Sequence, residues 1–231
     1  MNDRVIDSAR IDRLLGFEYS RVESSMAQMS ESGSESLTSS RLWQEVGPQG
    51  FQTPYHELAD IASSVGHFQR LAWADLGAGY SRLAILLKII RPNDHYWGIE
   101  LSPQRVEEAK RVLSDRLGKN FDFCAGDLLK DLWLIPSADM YLIYDFSSPS
   151  EIEKILRHLV DRDHPFGIVA RGKGVRSLIE AKFPLLSDVY PCLYRDKWTI
   201  YFNHETQAII EQSCERNWLE QALEQFARGQ K

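Results

Sequence analysis

The stretch Trp73-Ala74-Asp75-Leu76-Gly77-Ala78-Gly79-Tyr80-Ser81 decides the fold. Apolar residues lead into an acid, a glycine-rich turn follows, and Leu83, Leu86, Leu87 and Ile90 then recur at helical spacing. This order predicts a strand, a tight turn and a helix. Glycines at such a turn let the backbone fold sharply and approach a ligand where a Cβ would collide. Asp75, just before the first glycine, bears on the choice of ligand. Its carboxylate would repel a pyrophosphate and suits a group that carries an ammonium, which points to S-adenosylmethionine rather than a dinucleotide.

A short glycine motif is weak alone, but three later apolar runs end in the same way. His95 to Leu101 carries Glu100, roughly 20 residues beyond the first glycine, where a doubly wound sheet places the acid that holds ribose hydroxyls. Phe121 to Asp127 ends in Gly126-Asp127, and Ala138 to Asp145 ends in Asp145. Ligands of open parallel sheets bind beyond the carboxyl ends of the strands, so the four acids are expected to meet in one crevice.

The order Asp75-Leu-Gly-Ala-Gly79, Glu100, Gly126-Asp127, Asp145 resembles the class I, seven-stranded S-adenosylmethionine-dependent methyltransferases over residues 51 to 203. The resemblance implies an α/β fold, a doubly wound and mostly parallel seven-stranded sheet with a C-terminal antiparallel hairpin. It implies that Gly77 and Gly79 pass under the methionine part of S-adenosyl-L-methionine and that Asp75 helps hold that end. Glu100 would take the ribose hydroxyls and Asp127 the adenine amino group. Asp145 would sit where the methionine ammonium meets the substrate, and Tyr55 would shape the pocket as in members with an upstream Thr-Pro-Tyr segment. Ser81 departs from the family, many members of which carry a third glycine there.

At 231 residues and 43% hydrophobic content the chain can bury one good core. Its net charge of −6 carries no overall basic footprint for nucleic acid, the nearest approach being Arg171, Lys173 and Arg176. Cys124, Cys192 and Cys214 lack metal-ligand spacing and fit buried thiols of a reducing cytoplasm. The six histidines show no metal-site pairing, and neither a membrane span nor a signal-peptide core is evident, so no metal and no membrane are expected.

Two regions are expected: residues 1–50, an N-terminal helix and a serine-rich segment, and residues 51–231, the methyltransferase domain. Val5, Ile6, Ile11, Leu14 and Leu15 mark the short helix. Ser24 to Ser40 holds eight serines and reads as a mobile linker or lid, too polar to offset its ordering entropy. Beyond Phe51, Leu58, Ile61, Ala62 and Val65 mark a helix, Ser102-Pro103 is a helix start, and Ser148-Pro-Ser-Glu151 matches a capping box. Phe166 to Ala170 reads as a fifth strand and Val175 to Phe183 as a helix. Leu185 to Tyr194 and Trp198 to Phe202 read as a hairpin, and 205 to 226 as a closing helix.

Methyl transfer asks the protein mainly for position and desolvation. Tyr80, Tyr144 and Phe146 are candidates to wall out water, and no residue stands out as a general base. Asp145-Phe-Ser-Ser148 is not the Asn/Asp-Pro-Pro-Tyr/Phe signature of enzymes that methylate base amines or glutamine amides, so a nucleic-acid acceptor is disfavoured. Gln52-Thr-Pro-Tyr55, the glycine turn and Gly98-Ile-Glu-Leu-Ser-Pro103 resemble protein-lysine methyltransferases of this fold, those of the telomeric-silencing histone type and those acting on an ATP-synthase subunit among them. The alternatives are a small-molecule N- or O-methyltransferase, a non-catalytic methyltransferase-like binding module, and an aminopropyltransferase. The last would need more acids after Asp145 than this chain has.

Overall fold

The computed structural model describes residues 6–31, 52–65, 70–190, 192–204 and 216–229. Five parallel strands form most of one sheet: β1 (Ala72–Leu76), β2 (His95–Glu100), β3 (Phe121–Ala125), β4 (Met140–Tyr144) and β5 (Gly167–Arg171). β6 (Cys192–Tyr194) and β7 (Trp198–Phe202) complete it in the order β3-β2-β1-β4-β5-β7-β6. β7 runs antiparallel to both of its neighbours. The order reverses at β1, which lies between β2 and β4, so a crevice opens beyond its carboxyl end.

Residue alternation distributes the two cores. In β1, Trp73 packs on one face while Ala74 and Leu76 pack on the other, and Leu142 and Ile143 divide in the same way in β4. The first face carries α3 (Tyr55–Ser64), α4 (Arg82–Ile90), α5 (Pro103–Leu117) and α9 (Arg216–Ala227). The second carries α6 (Pro149–Val160), α7 (Lys173–Lys182) and the single turn α8 (Pro184–Ser187). Ser102 caps α5, its hydroxyl accepting from the Arg105 N–H at 3.3 Å. Ser148 and Glu151 form the expected capping box on α6.

Two expectations need correction. The serine-rich segment is not a linker throughout: Ser24 and Ser25 lie within α2 (Tyr19–Glu31), which follows α1 (Ser8–Leu15) and buries Tyr19 and Val22. Packing of these apolar residues against the sheet domain overrides the low apolar content of the serine run. Residues 32 to 40 of that run lie outside the described residues. The strand expected over Leu185 to Tyr194 is confined to Cys192–Tyr194, because Pro184 starts a helical turn instead. The expected closing helix is present over Arg216–Ala227, and 205 to 215 lie outside the described residues.

A buried ion pair docks the N-terminal helices on the sheet domain. Asp12 of α1 pairs with Arg82 at the start of α4, both of them buried, with a second contact from Arg82 Nε at 3.3 Å. Tyr55 donates its hydroxyl to Asp12 at 2.8 Å, and Arg82 donates to the Thr53 carbonyl at 3.1 Å. Removing one partner strands a buried charge, at a cost of about 3–5 kcal/mol. Asp12→Ala is therefore expected to lower the melting temperature by about 6–20 °C. Calorimetry checks this, and a loss within error of zero would mean that the pair does not hold α1.

Candidate functional site

The turn after β1 is zipped to the end of β2. Gly77 and Ala78 donate their N–H groups to the Ile99 carbonyl at 2.9 and 3.0 Å, and the Gly79 N–H donates to Glu100 Oε2 at 2.8 Å. Gly77 and Gly79 hold φ of +83° and +56°, the left-handed region where a Cβ is strained. A Cβ at Gly79 would also stand 2.9 Å from Gln52 Nε2, and one at Gly77 3.1 Å from the Phe146 ring. Ser81 adopts φ +60°, the backbone shape a third glycine would take there.

A crevice opens over this turn. Asp75, Gly77, Gly79, Glu100 and Asp127 all line it, so five of the seven expected residues come together. Asp75 is buried; its Oδ2 accepts the Tyr96 hydroxyl at 2.9 Å, while its Oδ1 has no partner among the described residues. Burial pushes its pKa from 3.8 up to about 7, the Tyr96 bond opposing that shift and the Glu100 charge adding to it. Glu100 Oε1 also accepts the Ser102 N–H at 3.1 Å and Arg105 Nη1 at 3.5 Å, leaving one lone pair free on Oε2 for a hydroxyl donor. Asp127 accepts the Leu129 N–H at 3.0 Å and pairs with Lys130 at 3.2 Å.

Tyr55 and Asp145 are not brought into the crevice lining. The Tyr55 ring is fully buried in the core, with its hydroxyl on Asp12 rather than in the crevice. The crevice is lined by Gln52 and Thr53 of the same segment instead. Asp145 Oδ2 and Oδ1 accept the Gly174 and Val175 N–H groups at 2.9 and 2.6 Å. The physical reason lies in α7, whose N-cap is Gly172 and has no side chain with which to cap the helix. Asp145 supplies the missing acceptor from the β4 loop and is not among the lining residues. Its neighbours Tyr144, Phe146 and Ser147 are.

The sequence reading missed Arg105, Leu101 and Met26 in the lining. Arg105 lies on the first turn of α5, immediately after the Glu100 strand, and an i, i+5 acid–base pair across a helix start was the one available signal.

No protein-family model matches this chain, and no curated protein matches it by sequence. Solved structures do. A mitomycin 7-O-methyltransferase aligns with a TM-score of 0.54 at 17% identity, over 85% of this chain and 71% of that one. The C-terminal domain of a precorrin-6Y C5,15-methyltransferase from Rhodobacter capsulatus aligns with a TM-score of 0.53 at 14% identity, over 66% of this chain and 90% of that one. An RNA methyltransferase from Salinibacter ruber, solved with S-adenosyl-L-homocysteine, reaches 0.49 at 19% identity over 71% and 99%, too distant to carry an argument. The chain has the class I methyltransferase fold. At these identities the likeness extends to the fold alone.

Asp75 gives the site a pH signature. The folded protein binds this proton more tightly than the unfolded chain, so the stability contributed by the group falls as pH rises from 3.8 towards about 7. Asp75→Asn is expected to melt higher than the wild type above about pH 7, with the gap closing as pH falls towards 3.8. A gap independent of pH in thermal melts would show that Asp75 does not titrate in this range.

Proposed function

We propose that this protein is an S-adenosylmethionine-dependent methyltransferase acting on a neutral nitrogen or oxygen nucleophile. The observation that carries the reading is Asp75 Oδ1, without a partner among the described residues and buried beside a left-handed glycine turn at the point where the strand order reverses. A carboxylate oxygen left bare in a low-dielectric crevice is a strong acceptor awaiting a donor, and an ammonium is the donor that also offsets its charge. Positive φ at Gly77 and Gly79 favours residues without a Cβ, and a Cβ there would crowd Phe146 and Gln52 of the crevice lining.

These residues fit the cofactor as follows. Asp75 would hold the ammonium, Glu100 the ribose hydroxyls, and Asp127 with Leu128 the adenine edge and face. When bound, S-adenosylmethionine supplies an electrophilic methyl group on a sulfonium. The chain's own part is to bind, orient and exclude water. Leu58, Tyr144 and Phe146 give the crevice an apolar wall, and burial with the nearby Asp75 charge holds the Tyr144 phenol protonated. Such a wall disfavours a charged amine, so an acceptor nitrogen there loses its proton more readily and presents a lone pair. A protein lysine is the acceptor class that the sequence resemblance favours, and a small amine or hydroxyl meets the same wall.

Thermal-shift titration with S-adenosylmethionine, S-adenosylhomocysteine and NAD tests the reading. At a hundredfold the dissociation constant, a ligand stabilises by about 2.7 kcal/mol, or about 5–11 °C for a chain of this length. The two sulfur ligands are expected to give this shift and NAD none. Glu100→Ala should weaken the response about tenfold or more through the lost hydroxyl bonds. No shift with either sulfur ligand, in folded protein, would leave the binding-module reading without its cofactor and the enzyme reading without support.

A further inference from the structure

α2 stands over the crevice and contributes to it from outside the sheet domain. Met26 lines the crevice, and its sulfur accepts the Ser102 hydroxyl at 3.2 Å. One turn earlier, Glu23 grips Arg105 with both carboxylate oxygens, from Nε and Nη2 at 3.0 Å each. Glu23 also accepts the Tyr80 hydroxyl at 2.7 Å, which fixes it against the residue that follows the glycine turn. Arg105 in turn reaches Glu100 Oε1 at 3.5 Å with its remaining nitrogen. Glu23, Arg105, Glu100 and the Gly79 N–H thus form one chain of charge-assisted contacts from α2 to the turn.

The pairing is positioned to matter. The Glu23 and Arg105 side chains keep only about a fifth of their surface exposed, and that of Glu100 is 8% exposed. Arg105 is shared between two carboxylates, so the geometry of one acid depends on the other. A bidentate grip fixes the guanidinium plane, which fixes where its third nitrogen can meet Glu100. α2 is itself anchored at its start, where Phe17 stacks on Tyr19, both rings pack against Tyr80, and Arg21 pairs with Glu108 at 3.3 Å.

We propose that α2 is the outer wall of the ribose half of the site and that Glu23, acting through Arg105, is a positioning residue for Glu100. This rests on the cofactor reading above and adds to it a residue from the N-terminal region. By linkage, a ligand that engages Glu100 tightens the docking of α2, and a docked α2 raises the affinity for that ligand by the same factor. The coupling belongs to the ribose, so the adenosine half of the ligand carries it and the methionine half does not.

Hydrogen exchange of residues 19 to 31 read by mass spectrometry tests this on the whole chain, with S-adenosylhomocysteine, adenosine and methionine as probes. Calorimetric titration of S-adenosylhomocysteine runs alongside for the wild type, Glu23→Ala, Glu23→Gln and, as a surface control, Arg157→Ala. S-adenosylhomocysteine and adenosine are expected to slow exchange in α2, and methionine to leave it unchanged. Glu23→Ala should weaken S-adenosylhomocysteine about tenfold and abolish the ligand-dependent protection. Glu23→Gln should recover part of both, and Arg157→Ala should match the wild type. Wild-type binding without any change in α2 exchange overturns the proposal alone, as does unaltered affinity in Glu23→Ala. Absence of binding to the wild type overturns the cofactor reading and this inference with it. The wild-type exchange measurement decides the matter even where a variant fails to fold.

Discussion

A carboxyl group near the end of β1, satisfied on one oxygen and, among the described residues, bare on the other, is the constraint around which this molecule is arranged. Asp75 can be buried only because Tyr96 on the neighbouring strand donates to it, and Tyr96 stands opposite Trp73 in the parallel register of β1 and β2. The glycine turn that follows keeps its shape because Ile99 and Glu100 at the end of β2 accept its N–H groups. Strand pairing, turn geometry and the unpaired acceptor are thus one construction. An acid left in this state weakens the fold as it ionises, a cost that makes sense at a site where a ligand supplies the missing donor.

The N-terminal helices bear on the same construction from the other side. The Asp12–Arg82 pair joins α1 to the first turn of α4, and the Thr53 carbonyl joins the same guanidinium. Gln52 and Thr53 thereby become a wall of the crevice although they lie well before the sheet begins. Buried pairs of this kind add little net stability over apolar packing, but they fix one geometry and penalise alternatives. Here that geometry closes the crevice along the segment the sheet alone would leave open.

What the sequence made legible was local. The apolar run into Asp75, the tight glycine turn, the Ser102-Pro103 start and the Ser148–Glu151 box each depend on residues within a few positions of one another, and each is found as read. Strand ends marked by acids located Glu100 and Asp127 in the crevice for the same reason. What stayed hidden depended on distant partners. Tyr55 looked like a pocket residue because its partner Asp12 lies 43 positions away. Asp145 looked like a ligand because the helix it caps begins some thirty residues later, at a glycine that cannot cap itself. α2 read as linker because serine content was visible and the docking of Tyr19, Val22 and Glu23 was not.

The claim that ties these observations together is that the bare oxygen of Asp75 and the carboxylate of Glu100 address two ends of one ligand. A crystal structure of the protein with S-adenosylhomocysteine tests it directly. The account predicts the ammonium within hydrogen-bond distance of Asp75 Oδ1 and the ribose hydroxyls on Glu100, with the glycine turn unmoved beneath them. Density for the ligand elsewhere, or an ammonium turned away from Asp75 with its oxygen still unpaired, would contradict it.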